Sequence, residues 1–360
     1  MRYELLELLR CPGCEARFTV EDAEERPAAA LEVEVSPAAQ PHTREVRAGV
    51  LRCEGCGAHA PIRDGVPRLV ELTARGRVPI DERTRSSFSF EWALHRPEDG
   101  TWGMTLDDRI RWYFLEGVGL SREEVRGLRV LDAGCGNGSS TLGIARLGAV
   151  CVGIDLSTGL EKAPGYFQPG DERTAALYVQ GNLMDAPFAP STFDVVFSAG
   201  VLHHTPDTHK AFMALAPLVK PGGRFYVWLY RHEPRVTPVV NTLRAVTTRL
   251  PPPLFAGMAV ALAPAFQVFT RLANATGLRR YPPMPWRAAA LGLLDIFGAR
   301  YAHAHDYEEV AGWYEAAGFE RPRLCSLERR GFSVCGTRRP DAAAHTGDRA
   351  ARAGGMGGKE

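Results

Sequence analysis

The sequence predicts an α/β fold, a largely parallel sheet with helices on both faces, preceded by a small β-rich module. Three observations carry this. From Leu128 onward short apolar strands alternate with helices or loops: RVLDAG, then VCVGID, FDVVFSAG and GGRFYVWLY. A glycine-rich break, Gly134 to Gly138, follows the first of these strands directly. Two C-x2-C pairs, Cys11/Cys14 and Cys53/Cys56, lie close to the N-terminus. At 360 residues the chain has room for two or three domains of roughly 100–200 residues each. Its 45% apolar content excludes a disordered or fibrous protein. Lys+Arg 43 against Asp+Glu 42 gives a formal charge of +1. That balance argues against a large phosphate-binding surface and gives no strong nucleic-acid signal, although Arg321, Arg323, Arg329 and Arg330 could form a local patch.

Residues 1–72 hold the cysteine pairs. The first stretch, MRYELLELLRCPGC, has charges inside its apolar run and no small-residue cleavage site, so a cytoplasmic location with reduced thiols is expected. Two thiolates on each tight turn can share one ion, which points to a four-thiolate structural zinc site of Cys11, Cys14, Cys53 and Cys56, with His59 as a spare ligand. The 38 residues between the pairs exceed the usual gap of about 15–20, and a hairpin with a charged excursion would absorb them. Residues 73–126 form a linker and an aromatic-bearing helical cap, in which Trp92 and Tyr113 belong either to the core or to a cover over the main domain. Residues 127–338 form that domain. Its rhythm is broken by an apolar insert at about 233–300 and resumes with the helix Tyr307–Ala317 and two closing strands. Within the insert, Leu250 to Thr270 has membrane-spanning length, but Pro251, Pro252, Pro253, Gly257 and Pro264 argue against a span. Residues 339–360 are Ala, Gly and charge, the composition of a disordered tail.

The flanks of the cysteine pairs are specific. LLELLRCPGC, followed by LRCEGCGAHAPIRDGVPRLV, resembles the small zinc-ribbon family of methyltransferase-activating subunits over roughly residues 1–70. That resemblance implies a ribbon stabilising a methyltransferase in cis. The long acidic middle, from Glu21, is a departure from the family.

The main domain carries its own signature. In Val130-Leu131-Asp132-Ala133-Gly134-Cys135-Gly136-Asn137-Gly138, glycines permit close approach of a ligand, and the following helix offers free N–H groups. Asp132 suits a cationic ligand better than a phosphate. Asp155, 21 positions after Gly134 and ending the second strand, suits two ribose hydroxyls. A nicotinamide enzyme fits poorly, because Asp132 opposes a phosphate and LVKPGG marks a different sheet. These motifs, with FDVVFSAGVLHHTPD and LVKPGGRFYVWLY in order, resemble class I S-adenosylmethionine-dependent methyltransferases with a Rossmann-like sheet, closest to the small-molecule "type 11" group. The resemblance implies Asp132, Gly134, Gly136 and Gly138 around the methionine end of S-adenosyl-L-methionine. It also implies Asp155 on the ribose, Leu156 against adenine and Ser198 lining the pocket. Asn182 takes the place of the usual acidic residue, with its amide oxygen accepting from the adenine amine and the Leu183 N–H donating to the ring. Asp185 is then a solvated or capping residue.

His203 and His204 are the candidate general bases, since an imidazole titrates near neutrality. His204 matches a commonly occurring family position, and a bond from it to a loop carbonyl is the competing role. Tyr230, Arg231 and His232 lie where acceptors dock, and His303 and His305 could face the same mouth. The insert is expected to be a helical lid over an apolar acceptor pocket. A peripheral membrane contact through 233–300 and a homodimer interface are the alternatives. The reading is a methyltransferase for a small or lipid-like metabolite. The competing readings are methylation of RNA or a translation protein, and a non-enzymatic scaffold that recruits a partner through the ribbon.

Overall fold

The structure, a computed structural model, describes residues 1–32, 43–73, 77–96, 104–232, 237–277, 286–328 and 330–341. The proposed tail beyond 341, and Arg329, lie outside them. The N-terminal module opens with α1 (Tyr3–Leu8), followed by a four-stranded antiparallel sheet of β1 (Phe18–Pro27), β2 (Arg44–Cys53), β3 (His59–Arg63) and β4 (Val66–Pro67). The long interval between the cysteine pairs is the β1–β2 hairpin, as its charge pattern anticipated. Arg52–Glu21, Arg47–Glu24 and Arg44–Glu25 pair across it on the exposed side, where each is worth only about 0–1 kcal/mol.

A helical cap follows: α2 (Glu82–Leu94), α3 (Leu106–Arg109), a π-helical turn over Ile110–Glu116, and α4 (Arg122–Val125). Asp81 caps α2 through Thr84 N–H, and reciprocal capping boxes start α3 (Thr105/Asp108) and α4 (Ser121/Glu124). The large sheet is then laid down by β5 (Arg129–Ala133), α5 (Ser139–Ala145), β6 (Val150–Asp155), β7 (Ala176–Gln180), β8 (Phe193–Ala199), α6 (Thr208–Leu215) and β9 (Val219–Tyr230). The insert is α7 (Thr237–Thr247), α8 (Pro252–Ala275) and α9 (Trp286–Gly298). The chain closes with α10 (Tyr307–Ala316), β10 (Arg323–Leu327) and β11 (Gly331–Thr337). Strand order is β10-β11-β9-β8-β5-β6-β7, with β5 to β9 parallel and β11 antiparallel to both its neighbours. The order reverses at β5, so the carboxyl ends of β5, β6 and β8 open on one crevice, where open α/β sheets bind ligands. Val130, Leu131, Val152, Ile154, Val195 and Val196 are all buried, as a sheet covered on both faces requires.

The ribbon and the sheet share one core. Leu5, Leu8, Leu9, Phe18, Leu51 and Ile62 belong to the same buried cluster as Val152, Val179, Phe188 and Phe225. A parallel bridge joins Arg68 to Gln180 at the free edge of β7, and Arg10 N–H donates to the Pro187 carbonyl at 2.7 Å. Arg68 Nη1 donates to Gln180 Oε1 at 3.2 Å, while Gln180 Nε2 donates to the carbonyls of Leu156 (3.3 Å) and Ser157 (3.1 Å). A side-chain relay thus runs from the ribbon to the loop after β6.

The prolines of the insert do not break it. Pro252 and Pro253 occupy the first turn of α8, where the missing N–H has no intrahelical partner to lose, and the helix runs on through Pro264 to Ala275. By length and composition alone, α8 is apolar enough to cross a membrane.

Candidate functional site

The chain leaves β5 and turns through Gly134, Gly136 and Gly138 at φ +85°, +57° and +77°, conformations that L side chains rarely adopt. Asp132, at the end of β5, is buried and accepts from Thr141 Oγ1 at 2.7 Å. Burial pushes its pKa up to about 7, against the opposing pull of that hydroxyl. Asp155 ends β6. One oxygen accepts from Ser157 N–H (2.8 Å) and Oγ (2.6 Å), the other from Gly136 N–H (2.8 Å). Burial also raises its pKa. Both carboxylates line a cavity of about 640 Å³, together with Gly134, Leu156, Asn182 and Leu183. That volume suits a ligand of cofactor size.

Three expected lining residues stand elsewhere. Ser198 is fully buried, and its hydroxyl donates to the Ala133 carbonyl at 2.9 Å, tying β8 to β5 instead of facing the cavity. Gly136 lies under Trp92, whose ring stands 2.4 Å from where a Cβ would project. Gly138 packs against Tyr178 and serves as the left-handed N-cap of α5. Asn182 Oδ1 accepts from Met184 N–H at 3.0 Å, which uses one of the lone pairs the adenine reading relied on. Asp185 is not solvated, because its carboxylate is mostly buried 3.5 Å from Arg77. Trp92 and Phe88 on α2 fold over the cleft, so this segment is a cover and not merely core.

At the other end of the cavity stand His203, His204, Tyr230, Asp295 and Glu91. His203 lies against Tyr230, with ring centroids 4.0 Å apart, and neither of its nitrogens has a hydrogen-bond partner among the described residues. Burial holds its pKa well below the usual value, so it takes up a proton reluctantly. His204 Nδ1 meets the Tyr301 carbonyl at 2.8 Å, which places a proton there and leaves Nε2 as the working nitrogen. Nε2 is 3.3 Å from Asp295 Oδ1, close enough for charge attraction but off the line of a hydrogen bond. Tyr230 OH donates to Asp295 Oδ2 at 2.7 Å. Burial opposes ionisation of Asp295, yet His204 and Tyr230 outweigh it and hold its carboxyl below the usual range. Glu91 has the opposite fate. Burial, and then the Asp295 charge, raise its pKa well above the ordinary value.

Glu91 and Asp295 did not emerge from the sequence. Glu91 looks like any polar residue of a helix. Asp295 had a signal, because it is the one acidic residue between Glu233 and Asp306. His303 and His305 turn away: His303 Nε2 contacts the Thr205 carbonyl at 3.1 Å, and His305 Nδ1 pairs with Glu309 at 3.0 Å. Arg231 and His232 do not line the cavity, whereas Tyr230 does. The expected basic patch is largely spent, since Arg321 pairs with Glu308 and Glu315, and Arg323 donates to the Gly117 carbonyl. At the ribbon tip, the sulfurs of Cys11, Cys14, Cys53 and Cys56 lie within 4.8 Å of one another. His59 is outside this group, beside Thr73.

Comparison with known proteins finds similarity over part of the chain. Residues 131–227 match the family described as "Methyltransferase domain". Among curated relatives, the ubiquinone biosynthesis O-methyltransferase of Xanthomonas euvesicatoria pv. vesicatoria is 35% identical over 114 residues, 32% of this chain and 48% of that protein. The demethylmenaquinone methyltransferase of Corynebacterium kroppenstedtii is 36% identical over 117 residues, 32% of this chain and 47% of that protein. The chain spans about half the length of the curated relatives it matches. Among solved structures, the magnesium protoporphyrin IX methyltransferase of Synechocystis PCC 6803 with bound SAM aligns at 17% identity and a TM-score of 0.41, over 73% of this chain and 99% of that one.

Replacing Gly136 by Ala should impose a left-handed strain and drive Trp92 off the turn. The expected loss is at least about 1–3 kcal/mol of stability, read by thermal melting. A melt unchanged from the parent would show that Trp92 does not pack there.

Proposed function

We propose that the protein is an S-adenosyl-L-methionine-dependent methyltransferase acting on a hydroxyl of a small or lipid-like acceptor. The single cavity that joins the glycine turn to the His204–Asp295–Tyr230 cluster carries this reading. Asp132 and Gly134 stand ready for the cationic methionine end of the cofactor, Asp155 for the ribose hydroxyls, and Leu156, Asn182 and Leu183 for the adenine. The bound cofactor supplies an electrophilic methyl group on a sulfonium. Everything else falls to the chain. Phe88 and Trp92 cover the cleft against water. Tyr230, His203 and Phe88 give the acceptor an apolar berth, and His204 Nε2 takes the hydroxyl proton while Asp295 stabilises the imidazolium formed. His203 is the poorer base because burial disfavours its charged form. The names of the relatives support an apolar ring-bearing acceptor, since one acts in ubiquinone biosynthesis.

The test is transfer of a labelled methyl group from S-adenosyl-L-methionine to a prenylated catechol. His204→Gln should lower kcat by about 10²–10⁴ and leave cofactor affinity unchanged. Full activity in that variant would remove His204 from the proton path.

The four sulfurs fit a structural zinc ion, because Cys11 Sγ–Cys56 Sγ at 3.7 Å and Cys14 Sγ–Cys53 Sγ at 3.3 Å approach the ~3.8 Å edge of a tetrahedron with ~2.3 Å Zn–S bonds. The zinc ribbon then stabilises the methyltransferase in cis through the shared core and the Arg68–Gln180 relay. Native reduced protein should hold about one zinc per chain, and changing Cys11 and Cys14 to Ser should remove it and lower the melting point of the whole chain as one transition. Zinc-free native protein with four titratable thiols would refute the assignment.

A further inference from the structure

Helix α8 is built inside out for a helix in water. The residues it buries are Phe255, Ala256, Ala259, Ala263, Thr270 and Ala273, mostly small, packed against α2 and α9. Among the residues it exposes, beside small ones such as Gly257, Ala261 and Ala265, six are large and apolar. Leu254, Met258, Leu262, Phe269 and Leu272 recur at helical spacing, each 40% to 61% exposed, with Val268 beside them. A surface helix normally shows the reverse pattern. Small residues towards protein and large ones outward is the arrangement of helices whose outer solvent is hydrocarbon.

The charge pattern says what that solvent carries at its edge. From residue 234 to 294 the sequence has seven arginines and no acidic residue. Arg249 and Arg271, one before α8 and one near its C-terminal end, are exposed, and Arg287 at the start of α9 lies over the Trp286 ring at 4.9 Å. Arginines flanking an apolar face suit an interface of anionic headgroups over acyl chains. A symmetric contact between two copies would set these arginines against one another with no carboxylate to answer them. Crossing the bilayer is opposed by the packing, because Phe90 and Leu94 of α2 pack against the α8 face that α9 shares. Asp295 of α9 is in turn held in the cavity by Tyr230. The helix therefore lies along the surface.

We propose that the outer face of α8, with its flanking arginines, seats the protein on an anionic lipid bilayer. This goes beyond the methyltransferase reading and does not depend on it, since the test reads binding and not turnover.

The experiment is flotation of the full chain with vesicles of phosphatidylcholine alone and of phosphatidylcholine with an equal part of phosphatidylglycerol. The parent should float with the anionic vesicles and far less with the neutral ones. The double variant L262Q/F269Q and the double variant R249E/R271E should each lose at least about tenfold of the bound fraction while melting like the parent. Three results would overturn the proposal: folded parent that does not float, flotation unaffected by L262Q/F269Q, or a lipid-free dimer that L262Q/F269Q dissociates without any vesicle binding. In the last case the face belongs to a second copy of the chain.

Discussion

Asp132, buried, and Asp155, half-buried, stand at the carboxyl ends of adjacent parallel strands, and the rest of the site is arranged around that unfavourable placement. Burying an anion costs several kcal/mol unless partners compensate it. Asp155 has its compensation built in, from Ser157 and the Gly136 N–H, and that last bond requires the glycine turn to hold its left-handed shape. Asp132 has a hydroxyl partner in Thr141 and feels the charge of the buried Arg109, yet burial still raises its pKa to about 7. The proposed cationic ligand would add to that stabilisation. The same glycine turn that lets the backbone approach a ligand thus also fixes the charge the ligand meets.

The second half of the cavity inverts this logic. Asp295 stays ionised because His204 and Tyr230 stabilise its charge, and its charge in turn contributes to keeping Glu91 neutral. Environment separates two nearby carboxyl groups into an anion and an acid, as acid–base sites commonly do. The elements that supply them are the cap and the insert, not the sheet. Helix α9, part of the insert, therefore contributes to the cavity through Asp295 while its partner α8 turns an apolar face outward. The ribbon acts from the opposite edge, through Arg68 and Gln180 on the loop that follows Asp155. Three appendages converge on one crevice by different bonds.

Much of this was legible in the sequence. The strand–glycine–helix unit is set by local chemistry, and Asp132, Gly134, Asp155, Leu156, Asn182 and Leu183 line one cavity. The β1–β2 hairpin was foreseeable from its charge and length. Side-chain direction was not. Ser198 sits at the expected strand end, yet its hydroxyl finds the Ala133 carbonyl, a partner 65 positions away. Gly136 was expected beside a ligand, and the ring of Trp92 fills that space because α2 packs across the turn. The prolines at the start of α8, weighed in the sequence only against a span, sit in the first turn of a long helix, a position that depends on where the helix begins. Glu91 and Asp295 acquire meaning only when α2 and α9 come together, which no local pattern encodes.

The central proposal is that Asp132, its carboxyl raised by burial, meets the cationic part of a ligand at the end of β5. Calorimetric titration of S-adenosyl-L-methionine into the full chain at pH 7, in two buffers of different ionisation enthalpy, tests it most directly. Because burial raises the Asp132 pKa and a cation beside it would lower it again, binding should release protons and strengthen as pH rises through 7. One site per chain with that release is the expected result. Absence of binding, or binding with no proton released, would contradict the account.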